Sequence, residues 1–181
     1  MQFNLKVINN LTKEHGDLKA LKEFRFSNGC AFPNSYQDFV IQYGYGLALE
    51  EFHIYIPMQD YCDSLFVMSE SIKSTYINDV NNDNVWFDLE PDASVEILKN
   101  LYPFASSDNG HFLFWNIDSY KNQEFDIFLT DFRGLGFRKI AENLYDCLSF
   151  FTNQNTISKL PFFTIPLQNT FEIIKPFDYI K

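Results

Sequence analysis

The sequence predicts an α+β fold: a mostly antiparallel sheet with helices packed on one face or end. Three observations carry this. Residues 32–46, FPNSYQDFVIQYGYG, are a helix pattern opened by a proline and closed by a glycine. The second half alternates aromatic and β-branched runs with turn-forming residues, as a meander does. It closes on an amphipathic stretch, AENLYDCLSFF. With 181 residues, 46% of them hydrophobic, the chain can build a real core, and a disordered polymer is excluded.

The elements follow in order. Leu11, Leu18 and Leu21, with charged residues between them, give residues 11–25 a helical pattern. Gly16-Asp17 breaks it, and Asp17 can cap a second piece. In the next stretch Pro33 has no N–H to lose, and its fixed φ suits a first turn. Ser35, with Asp38 three residues on, offers an alternative cap. Tyr36, Phe39, Val40 and Tyr43 then share one face. Gly44 can adopt the left-handed conformation that ends a helix, and Gly46 loosens the exit. FHIYIPM (52–58) reads as a strand. DSLFVMSESIKSTYIN (63–78) has Leu65, Met68, Ile72 and Tyr76 at helical spacing. NDVNNDN (78–84) is a loop, VWFDLEP (85–91) a short or edge strand, and DASVEILKN (92–100) a helix capped by Asp92 or Ser94.

YPFA (102–105) is a strand, and SSDNG (106–110) is built from turn residues. HFLFWNI (111–117) is apolar on both faces, as a central strand is. SYKNQ turns the chain into EFDIFLTDF, and RGLG turns it again into the short strand FRKI. Ile140, Leu144, Cys147, Leu148 and Phe151 form the apolar face of the last helix. Residues 160–181 are too apolar to hang free, and their three prolines argue against a helix. Residues 1–159 are therefore read as one domain, with 160–181 as an apolar extension packed on it.

The formal charge is −10 and unevenly placed. Phe26 to Leu98 holds twelve acids against one basic residue, Lys73. Nucleic-acid binding rests on Lys and Arg neutralising phosphates, so this field excludes nucleic acid as a partner. It either keeps the surface solvated or draws a basic protein partner. Trp86 sits among Asp79, Asp83, Asp88, Glu90 and Asp92. An exposed aromatic ringed by acids has the composition of a binding anchor. A satellite cluster under a long loop is the competing reading. These six residues, with Glu50, Glu51 and Asp60 upstream, are the candidate partner contacts. No run is long and apolar enough for a membrane span, and no secretion signal is expected after MQFNLKVINN. Three widely spaced cysteines, Cys30, Cys62 and Cys147, fit reduced thiols in a cytoplasm, where the Asn10-Leu11-Thr12 sequon is irrelevant.

Chemistry is poorly marked. His15, His53 and His111 lie outside any metal-ligand spacing, and no phosphate loop, dinucleotide fingerprint or nucleophile elbow is present. No cofactor or metal is expected. A Cys62–His111 dyad is conceivable, since such groups assemble from distant positions. Buried structural cysteine is the commoner case. Asp126 and Asp131 are five residues apart and so point to opposite faces of a strand, as solvated strand-end carboxylates. Trp115, within its aromatic strand, is assigned to the core.

Several motifs in one order carry a resemblance. They are the Pro33-x-Ser35-Tyr36-x-x-Phe39 helix, Tyr43-Gly44-Tyr45-Gly46, the YPFA strand, a turn with Gly110, the strand ending Trp115-Asn116-Ile117-Asp118, and the IAENLYDCLSFF helix. Together, over residues 15–152, they resemble the SUKH superfamily of fungal cell-wall-assembly regulators and bacterial immunity proteins. Phe32 replaces the Leu common before the family proline, and Tyr45 separates two glycines that are often adjacent. The resemblance implies a SUKH-like fold, no catalytic residues, and binding of a protein partner. For an immunity protein of a bacterial cytoplasm that partner is a toxin domain. A regulatory or scaffold role on the same fold is the alternative, and a hydrolase a remoter one.

Overall fold

The computed structural model describes residues 2–81, 88–131, 136–161 and 163–176. Strand β1 (Lys6–Val7) precedes helix α1 (Leu18–Glu23), which Asp17 caps by accepting from the N–H groups of Lys19 and Ala20. Residues 11–15 do not extend that helix. Tyr45 N–H donates to the Glu14 carbonyl at 2.7 Å, holding the segment as an extended strap with Leu11 exposed. A short leucine pattern without a face to bury does not sustain a helix.

Helix α2 (Asn34–Tyr43) is the best-marked element. Pro33 occupies its cap position, and Tyr36, Phe39, Val40 and Tyr43 are all buried. Gly44, at φ +76°, ends it; a Cβ there would lie 2.3 Å from the Glu14 carbonyl oxygen. Ser35 does not cap. It is buried, its Oγ donates to Glu124 Oε2 at 2.6 Å, and it accepts from Leu144 N–H at 2.9 Å. One hydroxyl thus joins the helix to two later elements.

Strands β2 (Gly46–Ala48) and β3 (Phe52–Ile54) form a hairpin, and β3 stops earlier than its β-rich sequence predicts. Helix α3 (Leu65–Asn81) buries Leu65, Ser69, Ile72 and Tyr76. Residues 88–91, the described part of the strand expected at 85–91, form no strand, and the chain turns at 90–92. Helix α4 (Val95–Lys99) is capped by Ser94. The meander follows as β4 (Leu101–Ser107), β5 (His111–Lys121), β6 (Glu124–Asp131) and β7 (Arg138–Ala141). Helix α5 (Leu144–Thr152), capped by Asn143, short helix α6 (Gln154–Ile157) and strand β8 (Thr170–Ile173) complete the order.

Among the described residues the sheet runs β1-β8-β2-β3-β4-β5-β6-β7, antiparallel except for the parallel β1–β8 pair. This is the α+β architecture expected, with one addition: β8 inserts between the first strand and the hairpin. Gly46 permits that insertion, because a Cβ there would lie 2.2 Å from the Glu172 carbonyl oxygen. Phe163 and Phe171 of the same segment are buried.

Side chains alternate between the two sides of the sheet. One side carries Phe52, Ile54, Ala105, Leu113, Trp115, Ile127 and Leu129, all essentially inaccessible. Helices α2 and α5 pack there: Trp115 stacks on Phe104 at 4.2 Å and meets Tyr36 edge-on at 4.8 Å, while Phe52 touches Phe151. On the reverse side Phe112 and Phe114 meet Tyr76 of α3 at 5.4 and 5.7 Å. Helix α3 therefore covers the β5 end of that side.

Candidate functional site

The densest polar cluster is buried. His111 Nδ1 lies 2.7 Å from Glu51 Oε1 and 3.2 Å from Ser107 Oγ, and Asn109 Nδ2 donates to Glu51 Oε2 at 2.8 Å. A carboxylate only accepts, so Nδ1 carries the proton toward Glu51. Burial opposes ionisation of Glu51. Hydrogen bonds from His111, Ser107 and Asn109, with the His111 charge, outweigh it and hold the carboxyl below its ordinary range. Serine, histidine and acid invite comparison with a catalytic triad, but a relay needs base and acid contacts on opposite ring nitrogens. Here Ser107 and Glu51 share Nδ1. The cluster instead locks the β2–β3 turn, where Leu49 and Glu50 both take left-handed φ near +60°, onto the start of β5.

The other chemical candidates also have structural environments. Partial burial, and then the Asp63 carboxylate beside it, raise the Cys62 thiol, the reverse of what an attacking thiolate requires. Cys62 Sγ contacts Asp63 Oδ1 at 3.6 Å, while His111 is engaged by Ser107 and Glu51. Burial pushes Cys147 far up. Asp126 is ion-paired with Lys139 at 2.8 Å. No group of three or more ligating side chains that could hold a metal occurs among the described residues.

The acids nominated from sequence do not form one patch. Asp88, Glu90 and Asp92 are exposed on a loop fixed to the β7 side of the sheet. Asp92 N–H donates to the Phe137 carbonyl, Asp92 Oδ2 accepts from Lys139 N–H, and Asp88 Oδ1 accepts from Glu90 N–H. Gly136 lets the Glu90 carbonyl approach; a Cβ would lie 2.1 Å from it. Asp79 belongs to α3 with its side chain outside the described residues, as are Asp83 and Trp86. Glu50 and Asp60 are exposed in the segments flanking β3, a strand roughly 19 Å from β7 by four strand spacings. Glu51 is a correction: 8% accessible and saturated internally, it has no free carboxylate to offer.

A second feature is the side of the sheet opposite α2 and α5, whose central row contains none of the acids nominated above. Register places Glu172, Leu47, His53, Ser106 and Phe112 in one row across β8, β2, β3, β4 and β5, each partly exposed. Beside the row on the same side, Tyr45 donates to Asp63 at 2.9 Å, and the Tyr55 hydroxyl bonds Ser106 Oγ. Burial, with the Asp63 charge adding to it, raises both tyrosines, so they stay protonated as a fixed floor. His53 Nε2 lies 3.6 Å from the exposed Asp108. The available signal was the alternation in Phe52-His53-Ile54, which sends His53 outward.

No curated protein and no solved structure matches the chain. A family model does: SUKH_6, described as SMI1-KNR4 cell-wall, matches residues 19–148, from α1 through the meander into α5. That span contains the α2 helix, the Trp115 strand and the start of the closing helix, and on this evidence the chain belongs to the SUKH family.

Proposed function

We propose that this SUKH protein is a non-enzymatic binding protein, an immunity protein that neutralises a cognate toxin by covering its active surface. Family membership fits an immunity or cell-wall-regulator type of role exercised through protein contacts. The observation that carries the finer reading is the exposed, anchored loop bearing Asp88, Glu90 and Asp92, the described part of an acidic segment without a basic residue. A toxin that acts on nucleic acid presents a basic surface to phosphates, and fixed carboxylates can stand in for them. Asp79, Asp83 and Trp86 belong to the same proposed contact.

The test is co-expression with the toxin domain encoded beside its gene, followed by surface plasmon resonance at two salt concentrations. Restored growth and a stoichiometric complex are expected. Asp88→Asn with Glu90→Gln should slow association and flatten its salt dependence, and Trp86→Ala should speed dissociation, by about 2 kcal/mol or more for a hot spot. Unprotected growth with no complex overturns the reading. The family description, SMI1-KNR4 cell-wall, favours a second one, a regulatory partner in place of a toxin. A neighbouring gene without a toxin domain would point there.

A further inference from the structure

We infer that the partly exposed side of the β8-β2-β3-β4 region is a docking surface for a protein partner with a basic rim and an apolar centre. This rests on the reading of the chain as a binder of basic proteins, and it names a surface that reading does not. An antiparallel sheet often keeps one side in water, and such a side is ordinarily polar. Here the row Glu172, Leu47, His53, Ser106, Phe112 places leucine at a partly accessible position, with Ile174 beyond it, Tyr45 and Tyr55 buried beside it on the same side, and Phe112 partly covered by Tyr76. The row spans roughly 19 Å across five strands.

Charge selects the occupant. Residues 46–64, 106–112 and 170–174 build this side and its rims and contain no lysine or arginine. They contain six acids. Glu51 is internal, and Glu50, Asp60, Asp63, Asp108 and Glu172 remain around the row. A second copy would bring the same acids against each other, and nucleic acid would be repelled. A basic protein would pair with the acids and desolvate Leu47, with Ile174 beside it, while Phe112 closes the row at its α3 end against Tyr76, the division between polar rim and apolar contact found in specific interfaces. His53, held near Asp108, adds a polar contact within the row.

The experiment places a photo-crosslinking phenylalanine analogue at position 47 of the full chain in its native cells. Ser149, exposed on α5, serves as the control position, and position 88 reports on the acidic loop. The partner recovered from position 47 is then purified and titrated against Asp108→Lys and, separately, Glu172→Lys. Asp108 is 95% exposed, so its variant folds independently of the outcome. The inference expects a basic partner from 47 and not from 149, and a loss of affinity of roughly tenfold or more for each charge reversal, with unchanged thermal midpoints. Equal labelling from 149, no adduct from 47, an acidic partner, a second copy, or unchanged affinity overturns it. A basic partner without toxicity keeps this surface and removes the toxin reading. A toxin labelled only from position 88 keeps the toxin reading and removes this surface.

Discussion

The two sides of the same strands are built to different ends. On one, Phe52, Ile54, Leu113 and Trp115 meet α2 and α5 and have essentially no accessible surface. On the other, the residues one position along, His53, Phe112 and Ser106, remain partly accessible. The two histidines repeat the contrast. His111, turned inward, is held by Glu51 and Ser107, while His53, turned outward, has a buried Nδ1 with no hydrogen-bond partner among the described residues. The inner side is arranged to hold the fold, with the His111 cluster satisfied within it. The outer side leaves apolar area and polar atoms incompletely used, the condition of a surface that has something left to bind.

Mutations that separate stability from surface function sharpen this contrast. The largest effect is expected from Trp115→Ala, which empties the centre of the aromatic stack and should destabilise by about 3–5 kcal/mol in urea titration. A loss below about 1 kcal/mol would mean the stack is not the core. Next comes Glu51→Gln, which keeps the shape and removes the charge, at about 1–3 kcal/mol near neutral pH. The folded Glu51 carboxyl lies below its ordinary range, so its contribution is complete above the unfolded value, about 4.3, and is lost as pH falls through the folded value. The gap between wild type and variant should therefore close in acid. A gap that widens there would give the cluster the wrong sign. The smallest effect belongs to the outer side: Leu47→Ser should change stability by no more than about 0.5 kcal/mol. A loss comparable to that of Trp115→Ala would show that Leu47 is core, and the two-sided picture would break.

Much of this fold is written locally. Pro33, Gly44 and the Tyr36-Phe39-Val40-Tyr43 face define α2, Asp17 and Ser94 cap where their chemistry predicts, and Asn122-Gln123 turn the β5–β6 hairpin with left-handed φ. What escaped is set by distant partners. The β2–β3 turn uses Leu49 and Glu50, neither a turn former, because Glu51 is pinned to His111 sixty residues away. Ser35 looks like a cap until Glu124 and Leu144 arrive from 89 and 109 residues on. Strand β8 lies in a proline-rich tail and pairs only because Gly46 leaves room. The site was legible as charge, not as place. A run of acids shows their sign, but only the strand register separates Glu50 and Asp60 from Asp88 and Asp92, or takes Glu51 inside.

The position of β8 also bears on how the protein is made. A ribosome delivers β1 long before β8, yet β8 lies between β1 and β2, and Asn9 Nδ2 donates to the Ile173 carbonyl across 164 residues. The family-matched span can condense while synthesis continues, but the outer border of β2 stays open until about residue 170 has emerged. During that interval a nascent chain offers an unpaired strand edge to its neighbours, the kind of edge that recruits wrong partners. Pairings so remote in sequence are also slow to close. This late-arriving segment thus works as a latch, and crowding on a polysome is where a weakened latch would first be felt.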